Sequence, residues 1–138
     1  MKYSRNAVYT RIHDAIKAEY PSAYVTSRYV SKPSSFPACL IHEIDRNRPL
    51  ENTQLDYADV QWESVFEIQI VSTKADTAAS EAYGIMEIAR NAFNSIYYRE
   101  FSETNIDRGD MFTVIGRFRH TIGGGDIMPP ASTPPTSA

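Results

Sequence analysis

A chain of 138 residues with 42% apolar and 22% charged side chains has the length and balance of one globular domain with its own core, which argues against disorder of the whole chain. Fourteen Lys and Arg against seventeen Asp and Glu leave a net charge of -3, and the scattered basic residues argue against a tight polyphosphate ligand. A single cysteine rules out an internal disulfide, and no apolar run approaches the roughly 20 residues of a membrane helix, so folding in a reducing cytoplasm is expected.

Val8, Ile12 and Ile16 recur every four residues and predict a first helix from about Arg5 to Glu19, capped by Ser4, stapled by Tyr3 and Val8, and stopped by Pro21. Ala23 to Val30, rich in tyrosine and valine, reads as a first strand. Ser31 to Pro37 then reads as a rigid connector, and its Phe36–Pro37 bond is one that can be cis. Ala38 to Asp45 is apolar on both parities and reads as a central second strand, with Cys39 as core packing.

Arg46 to Ala58 carries Pro49, asparagines and mixed charge, with Leu50, Leu55 and Tyr57 as apolar exceptions. From Asp59 to Thr73 the alternation is that of a strand: Val60, Trp62, Phe66, Ile68 and Ile70 share one parity, and Gln61, Glu63, Glu67 and Gln69 the other. Such a run spans on the order of 50 Å at 3.3 Å per residue, about twice the length of its local partner. The surplus is therefore expected to bend away or to offer its backbone to another chain.

Asp76 or Thr77 is placed to cap a second helix running to about Tyr98, with Ala82, Ile85, Met86, Ala89, Phe93 and Ile96 on its apolar stripe. Phe101 to Asp110 reads as a polar connector, and Met111 to Ile122 as the last strand. The expected fold is α+β: a two-layer sandwich of two helices on a mainly antiparallel four-stranded sheet, in the order α-β-β-β-α-β, with a long protruding hairpin between the second and third strands. The domain spans 1–122, and 123–138 reads as a flexible tail rich in Gly, Pro, Ser and Thr.

Chemistry leaves little trace. His13, His42 and His120 lack ligand spacing, so no metal is expected, and no serine lies in a nucleophile motif. Glu63 and Glu67 stand roughly 13 Å apart by strand rise, too far for a carboxylate pair, and read as solvent-facing. No cofactor is expected. Gly123, Gly124 and Gly125 read as a hinge, and Arg117 and Arg119 as arginines that solvate a strand face.

The helix leading into Tyr20-Pro21-Ser22-Ala23-Tyr24-Val25, the connector Pro33 to Pro37, Ile41-His42-Glu43-Ile44-Asp45, and Val65 to Ser72 running into an alanine-rich helix resemble the tail terminator or tail completion proteins of long-tailed bacteriophages. The resemblance covers about residues 5 to 121. It implies a structural virion protein and not an enzyme: a homo-oligomeric ring, usually a hexamer, that caps the tail tube and joins it to the head-tail connector protein. DNA would pass through the lumen without specific binding. The expected location is the tail or neck of the virion, by way of the host cytoplasm during assembly, with no membrane. Arg46, Arg48, Leu50, Leu55 and Tyr57 would be hairpin residues at the subunit interface, and Glu63 and Glu67 candidate lumen or rim residues. The alternatives are a head-completion or connector protein (stopper or adaptor) of the same neck, or a small α+β enzyme or ligand binder with a polar cluster such as His42 with Arg117.

Overall fold

Ser4 begins the first helix as its sequence position requires: its Oγ accepts the Ala7 amide at 3.0 Å, closing the first turn of α1, Arg5–Glu19. Val8, Ile12 and Ile16 are fully buried beneath it, each contributing about 1.5–3 kcal/mol of transfer free energy. The computed structural model describes residues 2–47, 61–123 and 125–130. After α1 come β1 (Tyr24–Thr26), β2 (Ala38–Asn47), β3 (Gln61–Ser72), a 3-10 turn at Ala75–Thr77, α2 (Ala78–Ser95), β4 (Arg99–Asp107) and β5 (Phe112–Gly123).

The α+β class holds, but the sheet has five strands among the described residues, in the order β1-β2-β3-β5-β4. It is mixed, because β1 runs parallel to β2 while the other pairs are antiparallel. The first strand is only three residues long, and the Phe36–Pro37 bond is cis. The fifth strand corrects the reading of Phe101 to Asp110 as a connector. Most of that segment is β4, which turns into β5 through Gly109 at φ 82, with Asp107 Oδ1 accepting the Gly109 amide.

β5 also corrects the expectation of a surplus on β3. It pairs with β3 at every position from Gln61 to Ser72, so the described length of β3 is satisfied within one chain. Backbone is unpaired elsewhere. β1 pairs with β2 only at Ala38, Cys39 and Leu40, so β2, expected to be central, becomes an edge from Ile41 onward among the described residues.

Both helices cover one face of the sheet, where Ile41, Phe66, Ile68, Ile70, Val114 and Phe118 meet Ile85, Met86 and Phe93. Phe93 stacks on Phe118 at 4.3 Å between centroids. α2 starts without the expected side-chain cap, since Thr77 makes no capping bond; Ser72 instead donates to Glu81 in the first turn at 2.7 Å. The helix ends at Ser95 in a Schellman motif, with the Tyr98 amide on Phe93 O and the Tyr97 amide on Asn94 O.

The reading of everything after Gly123 as a tail is corrected for its described part. Lys2 bridges to Ile127, Met128 is 3% exposed within the core, and Arg11 donates to Pro129 O at 2.7 Å.

Candidate interaction surface

Two β-bulges shape the sheet edges. In a regular strand, residues three apart point to opposite faces; one inserted residue brings them to the same face. On β2 the irregularity between Glu43 and Asp45 pushes Ile44 into solvent and turns both Glu43 and Arg46 toward the helices. On β4 the irregularity between Glu100 and Ser102 exposes Phe101 and turns Glu100 and Glu103 the same way.

Each bulge builds an ion cluster. The Glu43 side chain is 2% exposed and accepts from Arg46 Nε at 2.9 Å, Arg5 Nε at 2.6 Å and Ser64 Oγ at 2.6 Å; Ser64 in turn accepts from Tyr98. Burial alone raises the Glu43 carboxyl, but the three donors outweigh it and hold it below its ordinary value. Burial pushes the Tyr98 hydroxyl up to about 12, against the pull of its bond to Ser64. On the other edge, Arg90 holds Glu100 and Glu103 from β4 and Glu87 from its own helix.

The sheet face turned away from the helices carries a third cluster. Glu67 accepts from Arg117 Nε at 2.9 Å and Gln69 Nε2 at 2.8 Å, and His42 Nε2 lies 3.3 Å away. Burial raises this carboxyl too, and again the bonds from Gln69, Arg117 and His42 prevail and lower it. The expectation that Glu67 faces solvent therefore fails: its neighbours cover it to 6% exposure. Glu67 presents no free charge to a lumen. Glu63, half-buried opposite Asn47 and Thr121, keeps its place on that face. His42 and Arg117 do come together, bridged by Glu67 on the sheet face away from the helices; of the two, only His42 also borders the cleft beside α1.

Beside the unpaired stretch of β2 lies an open cleft of about 420 Å³, lined by Arg5, Asn6, Tyr9 and Ser27 above Ile41, His42, Glu43 and Phe66. Arg46 stands at the root of the hairpin, fixed to Glu43 and to the Tyr3 carbonyl. Arg48, Leu50, Leu55 and Tyr57 lie outside the described residues.

Cys39 is 1% exposed, and burial pushes its thiol up to about 12, which makes it unreactive at neutral pH. Among the described residues no three His, Cys, Asp or Glu side chains gather as a metal site, and no helix is long and apolar enough to cross a membrane. A scan against protein-family models and a search of curated proteins both find no match to this chain. The sequence does not show the bulge clusters: Glu43 and Arg46 fall on opposite parities, and a strand that is apolar on both parities has no alternation for a bulge to break.

Proposed function

We propose that the chain is a ring-forming structural subunit of a bacteriophage neck, capping the tail tube and joining it to the head-tail connector protein. One observation carries the ring: β2 beyond Leu40 and the whole of β4 are unpaired on their outer sides among the described residues, and they lie on opposite sides of one sheet. Edges so placed favour a head-to-tail contact, which closes into a ring when the rotation permits, a hexamer in the family the sequence resembles. The sequence pattern from Tyr20 to Ser72 supports the phage assignment. The net charge of -3 suits a lumen that lets DNA pass unbound.

Electron micrographs of the purified protein mixed with tail tubes test this reading. A ring at one end of each tube is the expected result; tubes left bare at saturating protein overturn it. Rings that decorate connector-bearing heads but ignore tubes would make the protein a head-completion protein of the same neck. A ligand-binding domain is a second reading, favoured by the cleft beside β2, whose volume falls in the usual range of about 300–1,000 Å³ for small-molecule sites.

A further inference from the structure

A helix, a strand edge and a restrained arginine meet at the cleft beside β2. Its walls are mostly polar: Arg5, Asn6 and Tyr9 from α1, Ser27 just past the end of β1, and His42 and Glu43 from β2, over a floor of Ile41 and Phe66. Arg5 is held in place while most of its donors stay open. The Glu43 side chain, 2% exposed and itself held by Arg46 and Ser64, takes the Arg5 Nε–H at 2.6 Å. That bond uses one of the five N–H groups of the guanidinium, and the four on the terminal nitrogens donate to nothing among the described residues. The Arg5 side chain is 73% exposed, so those four face water.

The backbone adds a donor on the same side. Pro37 O accepts the Tyr24 amide, so alternation along β2 turns the backbone of Cys39, Ile41 and Glu43 toward the side where β1 lies. β1 stops opposite Leu40, which leaves the Glu43 amide facing the cleft with no strand to receive it. Asn6 and Ser27, both exposed, carry further donors. The charge balance points the same way. Glu43 is the one acid in the lining, and with Arg5 and Arg46 both bound to it the cluster keeps one positive charge in excess.

We propose that this cleft is a binding site for a small organic acid, whose carboxylate pairs with the Arg5 guanidinium and the Glu43 amide while its apolar body lies against Tyr9 and over Ile41 and Phe66. The inference rests on the ligand-binding reading of the chain and not on the ring. A guanidinium anchored through Nε and free at both Nη atoms presents a planar fork that matches a carboxylate, and its anchoring means that less side-chain freedom is lost when the ligand arrives. The excess positive charge disfavours a cation. A neutral molecule of the same shape fits the space of about 420 Å³ but gains no charge-assisted bond from the fork.

Fluorine NMR of para-fluorobenzoate added to the full chain tests the site, with para-fluorobenzamide as its uncharged twin and melting temperature as the control for folding. The acid should bind in the millimolar range or tighter, and the amide at least tenfold more weakly. Arg5→Gln should weaken the acid at least tenfold and leave the amide unchanged. Because that variant also takes a partner from Glu43, Ser27→Trp is the second test: Ser27 is exposed, so the fold is retained while the indole fills the cleft and binding of the acid is lost. Arg119→Gln, which removes an exposed arginine two strands away, should bind the acid as the parent does. Equal binding of acid and amide, undiminished binding by Arg5→Gln or Ser27→Trp, an equal loss in Arg119→Gln, or no binding up to about 10 mM overturns the site. Each of those results leaves the neck assignment to the micrographs of tube ends, whereas an acid that binds as expected to a protein that leaves tubes bare sustains the site and overturns the ring.

Discussion

Tyr97 occupies the one non-glycine position with positive φ among the described residues, at 71°, where a Schellman motif ordinarily takes glycine. Left-handed backbone costs an L-residue about 1–2 kcal/mol, and the greater unfolded-state freedom of glycine returns part of that difference. Tyr97→Gly is therefore expected to stabilise the fold by about 0.5–1 kcal/mol, raising the urea midpoint without changing the slope. A midpoint that falls would mean that the Tyr97 ring, 58% exposed and 6.1 Å from the His120 ring, supports the fold more than its exposure suggests. The absence of glycine at this point also hides the helix end from the sequence, which predicts a helix running to about Tyr98 where α2 ends at Ser95. Glu67 misled for a related reason. Its polar parity was legible, but its burial is made by His42, Gln69 and Arg117, and two of those lie on other strands that only the fold brings near.

The two helices were legible because they bring their own signals: a Ser4 cap, a stop at Pro21, and apolar residues three and four apart. β4 was not. An edge strand whose side chains are mostly exposed has no need of apolar alternation, and its acids are retained by Arg90 on a helix that lies earlier in the chain. Gly109 after Asp107 was the local turn signal that marks the hairpin. Of the segment read as a tail, the described residues 125–130 were misread from composition, because one buried methionine among glycines and prolines does not alter an average. Met128→Ala should cost about 2–5 kcal/mol, the usual range for truncating a buried methionine to alanine, as read from thermal or urea unfolding. A loss below 0.5 kcal/mol, the scale of surface substitutions, would return that segment to the status of a tail.

At the scale of the whole molecule, one half-buried histidine and two buried carboxylates make stability depend on pH in one direction. His120 is half-buried among Tyr3, Tyr97 and Tyr98; burial lowers its pKa, only partly offset by Asp126. As pH falls through the ordinary histidine value of 6.5, the unfolded chain takes up a proton that the folded chain resists, and stability drops. Glu43 and Glu67 add a second stage. Their folded pKa values lie below the ordinary 4.5, so their contribution is complete above that value and is lost as pH descends through the lowered ones. Both stages have the same sign. Urea midpoints measured from pH 8 to pH 3 should therefore fall in two steps, the first beginning near 6.5 and the second below 4.5. His120→Gln should remove the first step and leave the second. Glu43→Gln should shrink the second and lower stability at pH 7, because Arg5 and Arg46 lose the charge they surround. A profile flat from pH 8 to pH 5 would show that His120 reaches water far more freely than its aromatic surroundings allow, and the packing of Tyr3, Tyr97 and Tyr98 around it would have to be redrawn.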